Sequence, residues 1–233
     1  MALPKLNDSP KYSISVPSTG KEVTFRPYLV KEEKTLLMAL ETEDQKQALT
    51  AIVDTIEACV YEKIDVTRLT TFDVEYMFTQ IRAKSAGETA TVGVKCSSCS
   101  AQNDVSIKLD DIKIDIPETE NELKLNDEVT VELKWPSYFD VTSFDSEKSQ
   151  SEAAFYMALL CIDAISFNDE RTSAEDCTKR ELMEFVESMT TEQFKLITDY
   201  ISLMPQMKHN IEFKCSSCGE ENNTTVKGLQ NFF

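Results

Sequence analysis

The amino-acid sequence predicts an α+β protein in which helical bundles are combined with short antiparallel strands. Two periodicities indicate this class: stretches with apolar residues at helical spacing, and short stretches in which apolar and polar residues alternate. A third observation is that the motif Lys95–Cys99 (KCSSC) occurs again at Lys214–Cys218. Two Cys-x-x-Cys motifs between predicted strands are typical of a four-cysteine, zinc-ribbon-like module.

The composition excludes several classes of function. The 233 residues carry a formal net charge of −17, and 41% of them are hydrophobic, as expected of a folded acidic protein. Phosphate backbones and anionic membranes bind basic surfaces, so this charge argues against both kinds of partner. The first ten residues lack the apolar region of a signal peptide, and no apolar run approaches the ~20 residues of a membrane helix. We therefore expect a cytoplasmic protein with reduced cysteines.

The first predicted module, residues 1–88, is a β-hairpin followed by three helices. Alternating apolar residues predict strands on both sides of a turn at Pro17–Gly20. Helices are predicted over residues 31–41, after a capping box at Thr42–Gln45, and over residues 70–87. The expected buried positions of the first two helices are Leu36, Leu37, Leu40, Leu49, Ile52, Val53, Ile56 and Val60.

The second predicted module, residues 89–135, is rich in strands and contains the first KCSSC motif. Strands are predicted before and after the motif, and another is predicted over residues 112–116 because three isoleucines alternate there. A second hairpin is expected to turn at Asn126–Asp127, between two alternating stretches. We therefore expect antiparallel pairs throughout this module.

The third predicted module, residues 136–233, consists of helices followed by the second KCSSC motif. One helix is predicted over about residues 150–165, and the next two begin at the capping boxes Thr178–Glu181 and Thr190–Gln193. The strands around the second motif repeat those around the first. The aligned positions are Val92 with Ile211, Val94 with Phe213, Val105 with Thr224 and Ile107 with Val226. We predict that the three modules form one compact unit.

Four cysteines form the strongest candidate site: Cys96, Cys99, Cys215 and Cys218. Cys99 and Cys215 are 116 positions apart, so a shared metal would tie the middle of the chain to its last part. Four thiolates suit one tetrahedral zinc ion and leave no open coordination position, which favours a structural zinc over a catalytic one. Two alternatives are reduced thiols without a metal, and an iron-bound or redox-active pair.

No catalytic constellation is recognisable in the sequence. His209 is the sole histidine, and neither a glycine-rich dinucleotide motif nor a phosphate-binding loop is present. Cys59 and Cys161 fall on apolar helical faces, which predicts small buried hydrophobes, whereas Cys177 falls in a polar stretch and is predicted in a loop. We therefore expect that the protein is not an enzyme.

Two long stretches carry a family resemblance: Pro17–Lys34, PSTGKEVTFRPYLVKEEK, and Thr71–Glu88, TFDVEYMFTQIRAKSAGE. Together with the shorter Ala2–Leu6, they resemble the baseplate hub and hub-assembly proteins of T4-like contractile-tailed phages. The resemblance implies a non-enzymatic protein in the host cytoplasm, either a component of the hub in the virion tail baseplate or an assembly factor (chaperone) for it. The implied partners are other tail or baseplate hub proteins, and the resemblance supplies no catalytic residues.

The residues after the first hairpin are the candidate partner contact. Arg26, Tyr28 and Lys31 follow a change of chain direction, and Arg and Tyr are frequent anchors in interfaces. A structural alternative is that Arg26 pairs with Glu32 or Glu33. The cysteine pattern also suggests a different class of function, a zinc-ribbon module in transcription or nucleic-acid binding, which the acidic charge opposes.

Overall fold

The computed structural model describes residues 9–42, 45–112, 114–142, 150–168 and 170–228. The chain divides into two compact units, of which the second is inserted between two segments of the first. Unit 1 comprises Met1–Asp115 and Gln206–Phe233, and unit 2 comprises Ile116–Pro205. Both KCSSC motifs belong to unit 1. The boundaries of these two units differ from the boundaries of the three predicted modules. That the three modules fold as one compact unit stays a prediction.

Unit 1 begins with a two-stranded antiparallel hairpin, β1 (Tyr12–Ser15) and β2 (Glu22–Phe25). Ile14 lies opposite Val23, and both side chains are buried, as the alternation predicts. Gly20 ends the turn with a φ of 65°, a conformation that glycine adopts without the steric cost of a Cβ atom. The predicted first hairpin is thereby confirmed.

Three helices follow: α1 (Val30–Glu41), α2 (Gln45–Cys59) and α3 (Thr71–Ala86). Helix α3 begins at a complete capping box. The Thr70 side chain accepts a hydrogen bond from the Asp73 amide, and the Asp73 carboxylate accepts one from the Thr70 amide. Helix α3 therefore starts where the sequence predicts. The capping box predicted at Thr42–Gln45 depends on residues that lie outside the described part of the chain.

The buried faces of α1 and α2 follow the predicted stripe in part. Leu36, Ile52 and Ile56 are buried. The prediction for Leu37 is wrong, because its side chain is 55% exposed, about 100° around the helix axis from the buried Leu36. The side chain of Leu40 lies outside the described residues. The first helix thus buries a narrower stripe than its leucines suggested.

A second hairpin of unit 1 holds the first KCSSC motif in its turn. Its strands are β3 (Thr89–Lys95) and β4 (Gln102–Lys108). The strand predicted over residues 112–116 is wrong, because the described residues of that stretch form no strand. The amide of Ile112 closes a short turn onto the carbonyl of Leu109, and the Ile112 side chain is buried without a strand partner.

Unit 2 contains a hairpin, β5 (Glu122–Lys124) and β6 (Val129–Leu133), followed by helices α4 (Tyr138–Thr142) and α5 (Gln150–Cys161). The hairpin turns where the sequence predicts. There the side-chain oxygen of Asn126 accepts hydrogen bonds from the amides of Glu128 and Val129, both at 2.8 Å.

The helix predicted over residues 150–165 is wrong in its last turn. Helix α5 ends at Cys161, and the chain continues directly as strand β7 (Ile162–Phe167), which turns into β8 (Glu170–Ser173). Strand β7 pairs with β6 on one side and β8 on the other, so the sheet order is β5-β6-β7-β8. Ile165 pairs with Val131 of β6, and such β-branched pairs favour strand over helix.

Two further helices complete unit 2, α6 (Lys179–Glu187) and α7 (Thr191–Ser202). Both begin at the predicted capping boxes, with Thr178 paired to Glu181 and Thr190 paired to Gln193. The helices and the sheet enclose one apolar core. Its buried members are Val131, Leu133, Ala158, Leu159, Cys161, Ile162, Val186, Ile197 and Tyr200.

The chain then returns to unit 1 as a hairpin that holds the second KCSSC motif, β9 (Lys208–Lys214) and β10 (Glu221–Lys227). Its register matches that of the first motif's hairpin, since Val92 lies opposite Val105 and Ile211 lies opposite Thr224. The α+β class is confirmed. Among the described residues, no helix is both long enough and apolar enough to cross a membrane.

Candidate metal centre

The turns of the two motif-bearing hairpins bring the four predicted cysteines together. Their Sγ atoms all lie within 4.8 Å of one another. The shortest described distances join the two motifs, from Cys96 to Cys218 and from Cys99 to Cys215, each 3.7 Å. A disulfide requires about 2.05 Å. Sulfurs at ~2.3 Å from one tetrahedral ion are about 3.8 Å apart, so the spacing fits a four-thiolate metal site.

The two motifs share one backbone conformation. In the first, the amide of Ser100 donates to the carbonyl of Cys96 at 3.0 Å, and in the second, the amide of Gly219 donates to the carbonyl of Cys215 at 2.9 Å. Both donors have positive φ, 60° for Ser100 and 77° for Gly219. Because the two turns have the same conformation, the two cysteines of each motif are directed towards the same four-cysteine group.

The first cysteine of each motif is buried, and the second is exposed. Cys96 and Cys215 are 2% and 3% exposed, whereas Cys99 and Cys218 face solvent. We call the buried pair the inner cysteines and the exposed pair the outer cysteines. The centre therefore has a covered side that the hairpins form and an open side through which an ion can enter.

Asn222 couples the second hairpin to the first motif. Its Oδ1 accepts hydrogen bonds from the amide and the hydroxyl of Ser97, both at 2.8 Å. Its Nδ2 donates to the Sγ of Cys96 at 3.5 Å and to the carbonyl of Glu220 at 3.0 Å. Asn222 is 8% exposed, and its contact with the Cys96 sulfur is buried, whereas the partner of its Oδ1 atom, Ser97, is exposed.

Asn103 makes the reciprocal contacts from the first hairpin to the second motif. Its Oδ1 accepts hydrogen bonds from the amide and the hydroxyl of Ser216, both at 2.9 Å. Its Nδ2 donates to the Sγ of Cys215 at 3.6 Å and to the carbonyl of Ala101 at 2.9 Å. Neither asparagine is predicted as a site residue from the sequence. The available signal was their equal spacing, since each stands four positions after its outer cysteine.

Backbone amides lower the pKa of the inner cysteines. The amide of Cys99 is the main cause for Cys96, and the amide of Cys218 is the main cause for Cys215, whose pKa falls to about 6. The amide of Glu220 acts the same way on Cys218, but the neighbouring thiols, Cys99 first, outweigh it and raise the pKa to about 12. Four thiolates therefore need a cation to coexist.

The remaining cysteines, Cys59, Cys161 and Cys177, are not members of this four-cysteine group. Cys59 and Cys161 are buried as predicted, and burial raises the pKa of Cys59 to about 11 and that of Cys161 to about 12. Cys177 follows a short 3₁₀ turn and is half-buried. Buried thiols with raised pKa values are poor nucleophiles and poor metal ligands.

The predicted partner residues lie between the end of β2 and the first turn of α1. Arg26 is enclosed by its own fold, with its Nη2 atom 2.9 Å from the Oε1 of Glu32 and 2.9 Å from the carbonyl oxygen of Ala58. Lys31 reaches the same Glu32 oxygen at 3.2 Å but is itself exposed. Tyr28 is half-buried, and this burial raises its pKa. The ion pair between Arg26 and Glu32, which is the structural alternative for Arg26, is present. The partner role of Arg26, Tyr28 and Lys31 stays a prediction.

Burial alone would raise the pKa of Glu32. Hydrogen bonds from Arg26, from the amide of Leu29 and from Lys31 outweigh this effect and lower it. Glu32 is only 7% exposed, so it depends on these donors to remain charged. Removal of the Arg26 guanidinium would therefore disturb the fold as well as any partner contact.

The fold and the site define an α+β protein in which two Cys-x-x-Cys hairpins face each other. Residues 9–233 match the family described as T4 bacteriophage base plate protein, and the chain belongs to that family. One similar protein is the Baseplate hub assembly protein gp26 of Enterobacteria phage T4, which is 24% identical over 223 residues, covering 96% of this chain and 98% of the relative. No solved structure matches the chain. The family resemblance predicted from the sequence is confirmed.

Proposed function

We propose that this protein is a non-enzymatic tail protein of a T4-like phage that acts at the baseplate hub, as a component or as an assembly factor (chaperone). The match to the base plate family over residues 9–233 carries the proposal. A relative covered over 98% of its length is named for baseplate hub assembly, which supports the hub as the place of action. The protein would work in the host cytoplasm during assembly, and as a hub component it would stay in the virion tail.

We propose further that Cys96, Cys99, Cys215 and Cys218 hold one structural zinc ion. Support comes from the 3.7 Å distances between sulfurs of opposite motifs and from the pure thiol donor set. Four protein ligands leave no coordination position for a substrate, so the ion would stabilise unit 1 rather than take part in a reaction. This is the zinc-ribbon-like module of the fold prediction.

The partners that we propose are other tail or hub proteins. A net charge of −17 favours a partner with a basic surface. The alternative function, nucleic-acid binding by a zinc ribbon, draws its support from the cysteine pattern alone. A gel-shift assay at moderate salt tests it, and tight binding to DNA or RNA would contradict a hub role.

The hub role is tested by disruption of the gene in its phage. We expect infected cells to accumulate few complete baseplates and few contractile tails, and expression of the protein from a plasmid to restore both. Normal tails in the disrupted phage would overturn the proposal. Mass spectrometry of purified virions then separates the two roles, because a component remains in the particle and an assembly factor does not.

The zinc is tested separately on the purified protein. We expect about one zinc ion per chain by elemental analysis, and loss of that ion in a Cys96→Ser/Cys215→Ser variant. Freshly purified protein without metal, in which all seven cysteines titrate freely, would contradict the site. This result would leave the hub role open.

A further inference from the structure

We propose that Asn103 and Asn222 are reciprocal positioning residues of the metal centre, each of which binds the motif on the opposite hairpin and donates a hydrogen bond to its inner cysteine sulfur. This inference rests on the proposed metal site. The hydrogen bonds join Asn222 to Cys96 and Asn103 to Cys215.

Backbone groups fix the orientation of both amides. The amide of Ser97 can only donate, so the atom of Asn222 that faces it must be the oxygen, and the carbonyl of Glu220 can only accept, so the atom that faces it must be the nitrogen. The same holds for Asn103 between the amide of Ser216 and the carbonyl of Ala101. In both cases an N–H group is left to point at a sulfur.

The contacts to sulfur have a chemical consequence for metal binding. Four thiolates around a divalent ion carry a net charge of −2, and an N–H donor at a sulfur withdraws part of that charge. The donated hydrogen bond thereby stabilises the thiolate form of the sulfur, which is the form that a metal binds. Outer-shell partners of this kind are worth about 10- to 100-fold in metal affinity.

The reciprocal arrangement also positions the motifs relative to each other. Each asparagine belongs to the strand after one motif, and its Oδ1 holds the serine of the other motif, Ser97 or Ser216. The four sulfurs are therefore held near one another by hydrogen bonds that do not depend on a metal. Both asparagines are more than nine-tenths buried, so solvent competes little for their contacts to sulfur.

A purely structural role is the competing explanation. The oxygen contacts to Ser97 and Ser216 alone could hold the two turns in place, with the nearby sulfurs incidental. Asn→Asp variants keep the side-chain shape and the oxygen that accepts from Ser97 or Ser216, and they lose both N–H contacts, to the sulfur and to the backbone carbonyl. The cobalt spectrum and the cadmium coupling described below report on the sulfur contact alone, so they separate the two roles. Asn210 supplies the matched control, since it is exposed on β9 and its Oδ1 accepts from the hydroxyl of Thr225, a contact that aspartate retains.

The first experiment measures zinc affinity by competition with a chromogenic chelator. We expect Asn103→Asp and Asn222→Asp each to weaken binding about 10- to 100-fold, and Asn210→Asp to change it by less than about 2-fold. With cobalt in place of zinc, the thiolate-to-cobalt charge-transfer band should move to lower energy in Asn103→Ala and Asn222→Ala, because a sulfur without its hydrogen bond gives up an electron more easily.

The second experiment needs no variant. In protein loaded with ¹¹³Cd, the side-chain amide protons of Asn103 and Asn222 should show scalar coupling to the metal through the N–H···S bond, and those of Asn210 should show none. A coupling that is absent from both asparagines, or variants that keep the affinity and the cobalt spectrum of Asn210→Asp, would overturn the positioning role. A wild-type protein that binds no metal would instead refute the proposed site.

Discussion

Ser100 and Gly219 occupy the same place in the two motifs, one residue after the outer cysteine, and both have positive φ. An L-residue with a Cβ atom is strained in this region, whereas glycine is not. The chain therefore carries a favourable residue at one copy of the turn and an unfavourable one at the other. The two turns therefore allow the cost of a positive φ to be compared between serine and glycine within one protein.

The first prediction exchanges the two residue types. Ser100→Gly should raise the free energy of unfolding by about 0.5–1 kcal/mol, and Gly219→Ala should lower it by about 1 kcal/mol. A Cβ at Gly219 would lie 3.9 Å from the nearest atom, on Lys214, so a clash would not contribute to the result. Urea denaturation of zinc-loaded protein measures both changes. Shifts of the same sign in the two variants would refute the argument.

The second prediction concerns the cysteines themselves. Cys96→Ser should destabilise the protein far more than Cys177→Ser, because it forfeits a share of a metal-binding free energy on the order of 10 kcal/mol. Cys177 donates from its Sγ to the carbonyl of Ser173, a contact that serine can also make. Thermal unfolding of both variants measures the difference.

A chelator provides the control for this comparison. The gap between wild type and Cys96→Ser should shrink strongly when zinc is removed from both proteins. If the two cysteine variants unfold at equal temperatures in zinc, the metal does not stabilise the fold.

Among individual residues, the four cysteines of the site could be predicted from the sequence, but the two asparagines could not. A repeated Cys-x-x-Cys pattern has a known chemistry, whereas an asparagine four residues later has many possible uses. Its role becomes visible only when the opposite motif is placed 3.5 Å from its nitrogen. The same limit applies to Leu37, which is exposed although it stands beside the buried Leu36.

Among the secondary-structure elements, the first residues of helices could be predicted from nearby residues more accurately than the strands could. The three capping boxes at Thr70, Thr178 and Thr190 are formed within four residues of chain, so the sequence contains all the partners. The sequence predicts a helix where β7 begins, because the pairing of β7 with β6 joins Ile165 to Val131, which is distant in sequence. Pairing of this kind has no local signature.

The third prediction concerns the two motif-bearing hairpins. Removal of zinc should speed amide hydrogen exchange at least about tenfold in β3, β4, β9 and β10, at the end of each strand that adjoins a KCSSC motif. The reason is that a turn without its metal opens more often and exposes the neighbouring hydrogen bonds between the strands. The β5-β6-β7-β8 sheet of unit 2 should keep its protection. Exchange mass spectrometry with and without a chelator measures this, and restored protection on adding zinc is the control. Uniform loss of protection in both units would contradict a local role.

The proposed binding of tail or hub proteins by this acidic member of the base plate family requires a contact surface on the molecule. The first candidate contact is the segment after β2. Besides the half-buried Tyr28 and the exposed Lys31, it presents Leu29 and Val30, which are 41% and 78% exposed. Arg26 is a poor test position, since its loss leaves the buried Glu32 without its main partner.

The fourth prediction is therefore made for Tyr28 and Lys31. The double variant Tyr28→Ala/Lys31→Ala should reduce capture of a co-expressed tail or hub protein at least about tenfold, as expected when interface anchors are truncated. The matched control is Tyr61→Ala/Lys63→Ala, which removes the same residue types from exposed positions in the same unit. Equal capture by both variants, with zinc content unchanged, would place the contact elsewhere.

The insertion of unit 2 between the two motifs has a consequence for synthesis on the ribosome. Cys99 leaves the ribosome 116 positions before Cys215, a delay of roughly 6 to 23 s at ~5–20 residues per second. During that interval the nascent chain offers only two of the four thiolates, and a chain that stops early never offers the rest. If the four cysteines bind one ion as proposed, tight metal capture requires both motifs, and a chain that stops between them could not form the site.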